Sequence, residues 1–518
     1  MKVTDNLELE KVLIPTVPDT VSKDLIIDKD FKVKNIKSGK IYKDNEVKWI
    51  ETGIFGKDIE IYAKTLKNRD IISGENVSIS SDGSISNDGI VSGDKNVLIK
   101  GKDIINSGIF QSKKDIQIEN NDFLENDKKI LGNSISIIAK NINNNDKINA
   151  KENIQINFEN TLKNTGEISD QKNIILKGEN GKLENEGQIL TKEKISIDAK
   201  ESINKGKLIG KEVNLKVNDN LYNEGSIQAA RDLNIVNTGS KNTLLKGELK
   251  TGGSIGLDSQ KSEITLEGDV LAGENLSIST GKIITNKGIL ASKENLTLKS
   301  NKMINEENST IWSGKNILVE ATEEIQNKKK ANIISGANLL LDAKSIVNDA
   351  GNISAGQKLT IKTDNLLNES KIENDSMIKG NQSIKTSVRW DDIFNYHIDT
   401  VTIEIPIIDN KSIIKDKAVI EANGDIEING YSQKGKVNIV NESGRILTTK
   451  NLKVDGDIEN ITNYTEYSAI DLLKKIEVTL SWETKLYGTN AHGNGGVSFK
   501  GNLYDALTNG YFSKNKDG

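Results

Sequence analysis

The chain has 518 residues, of which 35% are hydrophobic and only 4% aromatic, and its 70 Lys and Arg nearly offset 75 Asp and Glu to leave a formal net charge of -5. So few large side chains do not fill several thick globular cores, and the evenly mixed charge disfavours a general nucleic-acid-binding role. The absence of Cys removes disulfides, thiolate nucleophiles and Cys-based zinc sites together.

In chain order, acidic residues Asp5, Glu8 and Glu10 precede Val12-Leu13-Ile14, which stops at Pro15, so no apolar stretch of signal-peptide length opens the chain. No run approaches the roughly 18 apolar residues of a membrane span. Residues 1–50 read as a poorly defined N-terminal extension, and the chain reads as an internal fragment or split reading frame whose export signal lies elsewhere.

From residue 51 to 371 a repeat takes over. Segments of the form x-Gly-x-Asn-Leu-x-Ile recur, as in Ser73-Gly74-Glu75-Asn76-Val77-Ser78-Ile79, Ala272-Gly273-Glu274-Asn275-Leu276-Ser277-Ile278 and Ala355-Gly356-Gln357-Lys358-Leu359-Thr360-Ile361. Asn, then Gly, then an apolar residue runs in phase with them, as in Asn106-Ser107-Gly108-Ile109 and Asn185-Glu186-Gly187-Gln188-Ile189. Both markers recur about every 20 residues, and each unit holds two or three short strands with period-two alternation. The turns between them are expected to use the tolerance of Gly and Asn for positive φ.

Such a unit traces a closed perimeter of about 66 Å at roughly 3.3 Å per residue, the size of one triangular coil stacked about 4.8 Å from the next. The expected fold is therefore all-β, a right-handed parallel β-helix of roughly 15 to 16 coils, a rod on the order of 75 Å long. A leucine-rich repeat would need an L-x-x-L-x-L run and the calcium-binding nonapeptide helix G-G-x-G-x-D, and neither occurs. A hexapeptide left-handed helix would show a six-residue period.

One Asn per unit is expected to stack its amide on the next in a structural ladder through Asn87, Asn106, Asn126, Asn145, Asn164, Asn185, Asn204 and Asn223. By spacing the column continues to Asn242, lapses near Thr265, and resumes at Asn286, Asn305, Asn327, Asn348 and Asn368.

The joined markers N-x-G-x-I and S-G-x-N-L-x-I at this spacing resemble the haemagglutinin repeats of two-partner-secreted exoproteins, which include filamentous haemagglutinins and contact-dependent inhibition proteins. The resemblance implies a β-helical filament, extracellular or on a Gram-negative cell surface, exported through an outer-membrane partner transporter. It further implies an adhesin shaft meeting a receptor or glycan on host or neighbouring cells. The signal peptide and transport domain of that family, and the C-terminal effector of its toxic members, are not recognisable in this sequence.

After Asn368 the rhythm breaks. Residues 372–415 form an aromatic insertion in which Ser387 to His397 gathers Trp390, Phe394 and Tyr396. An alternating run from Val401 to Ile405, ended by Pro406, suggests an edge strand or a projecting hairpin. Those aromatics are a candidate receptor contact, and the plainer reading, that they fill a local cluster, is favoured. Coil-like sequence returns over 416–465, and 466–518 is a mixed region. In it Ser468 is set to cap a short helix through Lys475, followed by a strand from Ile476 to Trp482 and a loop from Asn490 to Gly496.

The main competing reading is a β-helical polysaccharide-degrading enzyme; a contact-dependent inhibition stalk is another. With two His, His397 and His492, and carboxylates on every coil, no catalytic constellation stands out. The expectation is no enzyme, no cofactor, no metal, no nucleic-acid partner and no membrane span.

Overall fold

The computed structural model describes residues 25–27, 33–35, 40–41, 53–391, 395–431, 435–462, 473–486 and 495–509. It is all-β, 73% strand and 2% helix, and its main body is a parallel β-solenoid of about 19 turns with about 20 residues each. That exceeds the count of repeat markers because turns also form at Asp58–Ala63 and beyond Val419.

Period-two alternation places the core. One turn points Val91, then Val97 and Ile99, then Ile104 and Asn106 inward, all buried. The next turn stacks Phe110 on Val91, Ile116 on Val97, Ile118 on Ile99, Leu124 on Ile104 and Asn126 on Asn106, every pair parallel and in register. A lone turn leaves these side chains open above and below, so each depends on its neighbours for the roughly 1.5–3 kcal/mol that burying a large aliphatic side chain contributes.

The third inward column ends on asparagine. Each Asn Nδ2 donates to the Oδ1 of the Asn one turn further on, from Asn68 through Asn87, Asn106, Asn126, Asn144, Asn164, Asn185 and Asn204 to Asn223. A second run goes from Asn286 through Asn305, Asn327, Asn348 and Asn368 to Asn441. Most of these amides also donate to backbone carbonyls at the corner, as Asn106 does to Lys129 at 3.1 Å.

Two positions expected from spacing are corrected. Asn144, not Asn145, is the inward member of its Asn triplet, because inward Ile142 fixes the parity of the strand. Asn145 is exposed and donates instead to Asp127 Oδ1 at 2.8 Å. Asn242 is exposed as well: extra residues after Asn237 shift the strand, and Leu245 is the residue that pairs with Asn223. Leu266 follows Leu245 in register and Thr265 points outward, so the ladder is interrupted for two turns.

The glycine of the Asn-x-Gly corner also differs from expectation. None of the corner glycines takes a positive φ; a Cβ on Gly108 would instead stand 2.0 Å from the Gly89 carbonyl oxygen, and one on Gly187 2.0 Å from that of Gly166. Glycine is there for close approach of stacked backbones. Positive φ falls on Asn308, Lys330, Ala350 and Ser443, at corners with one or two added residues.

The first three of those widened corners precede the place where the chain leaves the solenoid, after Asn368. It re-enters at Ala418, and the next turn stacks as if nothing intervened, Ile353 on Ile420, Ile361 on Ile428 and Asn368 on Asn441. The excursion belongs to a second compact unit. Lys371–Asp391 and Asn395–Asp416 form a long antiparallel hairpin, and Glu477–Leu486 and Gly495–Asn502 extend it to a four-stranded sheet. Pro406 lies just past Glu404, where pairing with the third strand ends, and stands opposite Asn381 of the first strand.

A short helix, Leu503–Thr508, follows the last strand, capped by Asn502, whose Oδ1 accepts from the Asp505 N–H at 2.8 Å. Residues 473–475 are helical, while Ser468 and most of the expected loop lie outside the described residues.

In the ladder, Asn185 accepts from Asn164 and donates to Asn204 Oδ1 at 2.7 Å and to the Lys207 carbonyl at 3.3 Å. Asn185→Ala leaves both amide neighbours short of a buried partner and is expected to lower stability by about 1–3 kcal/mol. Chemical denaturation checks this, with the strand spectrum of the native state unchanged.

Candidate functional site

The ladder asparagines are buried and bonded to one another, so they offer nothing to a ligand; their place is structural. Function has to be sought on outward-facing residues, and two regions differ from the regular surface.

The first is the antiparallel sheet. Its register sets Trp390 opposite His397 and Asp391 opposite Tyr396, and places Tyr396 beside Lys485 of the third strand. Tyr396 is half-buried, and Phe394 lies outside the described residues. Ile384, Trp482 and Val497 are exposed. Across the sheet Trp482 pairs with Gly496, where even a Cβ would come within 3.3 Å of the indole Nε1. Exposed apolar side chains also occur on the coils, at Tyr62, Ile138 and Trp312 among others, so what sets this unit apart is its antiparallel, non-repeating arrangement.

The second region went unread in the sequence. The last outward residue of the second strand of each turn forms one column, running from Tyr62 through Ser80, Lys100, Glu119, Ile138 and Asn157 to Lys177, Asp198 and Lys216. Further along, the same column holds Lys299, Glu320, Asp342 and Lys362.

Opposite charges meet at several places along it, between uncharged residues such as Ser80 and Val236, although Glu320 and Asp342 are neighbours of like sign. Ion pairs link Lys100 to Glu119 at 2.7 Å, Lys216 to Asp198 at 2.9 Å and Lys299 to Glu320 at 2.7 Å. Hydrogen bonding to Asp198 and its charge hold the Lys216 ammonium above its ordinary pKa. Side chains so exposed contribute at most about 1 kcal/mol per pair. Opposite charges about twenty residues apart, as at Lys100 and Glu119 or Lys299 and Glu320, were the available signal.

Among the described residues, clefts lie along this edge beside Tyr62, Lys216 and Ser300, with volumes of about 480, 350 and 660 Å³. Among the described residues, no group of three or more His, Cys, Asp or Glu is placed to hold a metal ion.

A family profile described as haemagglutinin repeat matches five overlapping stretches, residues 63–166, 130–189, 159–261, 261–363 and 319–376. Together these cover more than half of the chain. The chain belongs to the haemagglutinin-repeat family. No curated protein and no solved structure matches it. The family is structural and adhesin-type, its proteins are secreted or surface-exposed, and it implies a two-partner secretion context. Among the described residues, no helix is long and apolar enough to cross a membrane.

Among the described residues, one ionisable side chain lies fully buried inside this haemagglutinin-repeat solenoid. Asp170 occupies a column that holds Thr191 and Thr251 in later turns, where each threonine hydroxyl donates to a carbonyl of the preceding turn. The Asp170 carboxylate is fully buried; Oδ1 accepts from the Lys172 N–H, and Oδ2 has no partner.

Burial, only partly offset by backbone N–H groups of Lys172 and Asn173, pushes its pKa up from 3.8 to about 6. The folded state then binds more protons than the unfolded state between these values, so stability falls as pH rises through the interval, and the penalty is complete above it.

Asp170→Thr supplies the hydroxyl its neighbours use. It is expected to stabilise the protein by about 1–3 kcal/mol at pH 7 and by almost nothing at pH values near 4. Thermal denaturation across that pH range measures the difference, and a pH-independent gain would contradict the titration account.

Proposed function

We propose that this haemagglutinin-repeat chain is the shaft of a bacterial adhesin, exported through an outer-membrane partner transporter, that attaches its cell to host or neighbouring cells and catalyses no reaction. The observation that carries the reading is the contrast between its two units. The solenoid repeats a similar, largely polar surface turn after turn, with apolar residues such as Tyr62, Ile138 and Trp312 exposed singly along it. The antiparallel sheet instead presents exposed Ile384, Trp482 and Val497 on strands that carry Trp390 and Tyr396. Unique aromatic and aliphatic surface is what a specific protein contact requires, whereas repeated exposed ion pairs give little affinity or selectivity.

Trp390, Tyr396 and Phe394 are assigned to the receptor contact on this reading, and Trp482 is added from the neighbouring strand, where it pairs with Asp399. Replacing Trp390, Tyr396 and Trp482 together by Ser is expected to lower attachment of the purified chain to target cells by about tenfold or more, with the strand spectrum retained. Flow cytometry of cells exposed to the labelled protein checks it. Undiminished attachment would remove the sheet from the contact. Incubation with acidic and neutral polysaccharides is expected to release no reducing ends and no unsaturated products, and measurable release would overturn the non-enzymatic part of the proposal.

A further inference from the structure

The four-stranded antiparallel sheet has two faces of different character. Cross-strand partners point the same way, so Ile384 shares a row with Ile403 and Val478, and Thr386 shares the next with Val401, Leu480 and Phe499. On the other face Lys385 lies in line with Thr402, Thr479 and Lys500, and Ser387 with Thr400 and Ser481. Val478 is buried and Ile403, Val401, Leu480 and Phe499 are half-buried, whereas Ile384, on the outermost strand, is 47% exposed. The apolar face thus reaches the edge of the sheet uncovered.

That edge is open. Among the described residues, Lys371–Asp391 pairs only with Asn395–Asp416, so its second edge has no neighbour. Every residue from Asn381 to Ser387 is exposed, on both faces of the strand. Edge strands are commonly blunted by proline, by charges or by bulges. This run holds no proline and a single charge, Lys385, and the nearest bulge, between Ile378 and Gly380, lies just before it. The opposite edge, Gly495–Asn502, is shorter, has a bulge in its pairing and leads straight into the helix Leu503–Thr508.

From this juxtaposition we infer that the Asn381–Ser387 edge pairs antiparallel with the same edge of a second copy of the chain, about a two-fold axis through Ile384. Symmetry and charge select the register. With the axis there, Ile384 meets its own counterpart, and Ser383, Gln382 and Asn381 meet Lys385, Thr386 and Ser387. No like charges oppose each other within the run. An axis at Lys385 would set two ammonium groups face to face, and one at Ser383 would put Ile384 opposite Gln382 and carry Ser387 onto the bulge. An axis normal to the sheet also keeps both apolar faces on one side, where the two Ile384 side chains cover each other. About six to eight new backbone hydrogen bonds would join the copies into an eight-stranded sheet, a small contact that gives a concentration-dependent dimer. This pairing does not rest on the receptor contact proposed above.

The test uses the full chain at about 1 to 100 μM in analytical ultracentrifugation. The sedimenting mass is expected to rise about twofold across that range, Ile384→Lys to weaken association by about tenfold or more, and Trp482→Ser to leave it unchanged. Because the chain has no cysteine, one introduced thiol reads the register. Ile384→Cys brings two thiols together at the axis, with Cβ atoms about 4.5–5.5 Å apart, and oxidation with diamide should link most of the dimer covalently. Ser387→Cys faces Asn381 of the second copy, which leaves its thiols roughly 20 Å apart, and should not link. Should Ile384→Lys disturb the fold, the mass of the parent and the two thiol variants still decide. A parent that stays monomeric throughout, or a dimer that links through Ser387→Cys as readily as through Ile384→Cys, overturns the inference. Attachment to target cells is read separately, so a monomer that attaches and a dimer that does not tell the two readings apart.

Discussion

Parallel, in-register stacking is the constraint on which the rest of this protein depends. Once Val97 lies on Ile116 and Asn106 on Asn126, every residue has as its principal neighbour the residue about one turn further along the chain. Apolar columns then bury themselves, outward charges find partners of opposite sign one turn away, and a polar side chain can stay inside if its neighbour is its own kind. Asn meets that last condition because one amide both donates and accepts, so a column of them satisfies itself. Asp does not: Asp170 keeps one carboxylate oxygen without a partner and titrates far from the usual carboxylate range.

The same constraint governs how the repeat tolerates variation. Additions are confined to the corners, because an extra residue inside a strand would invert its inward and outward faces. The corner after the ladder asparagine absorbs them in stages, first through left-handed residues at Asn308, Lys330 and Ala350, and then through the whole excursion between Asn368 and Ala418. Because Asn441 receives the Asn368 amide at 2.6 Å, the insertion leaves the ladder intact. Functional surface is thereby added to a repeat without loss of its stacking.

Much of this was legible from the sequence because the inward positions carry the signal. Two markers held in phase give the parallel coil and the Asn column directly. The misplaced members, Asn145 and Asn242, were counted by distance from the previous Asn, whereas the strand assigns its faces by alternation from Ile142 and Thr243. The glycine corner was attributed to backbone torsion, and its real cause, the carbonyl of the turn before, is visible only once turns are stacked.

Pairing of the hairpin with Glu477–Leu486 joins segments far apart in sequence, and no repeat links them; the hairpin therefore cannot be removed without stripping a strand of its partner.

The central claim is that ladder amides act as a continuous column and not as separate polar contacts, and the natural interruption at Leu245 and Leu266 allows it to be measured. The decisive experiment is a double-mutant cycle of Leu245→Asn and Leu266→Asn, followed by chemical denaturation. Each single substitution should destabilise the solenoid, since it trades a buried leucine for an amide that lacks one neighbour. The double substitution, which joins Asn223 to Asn286, should recover about 1 kcal/mol or more relative to the sum of the two. Strict additivity of the two losses would contradict the account.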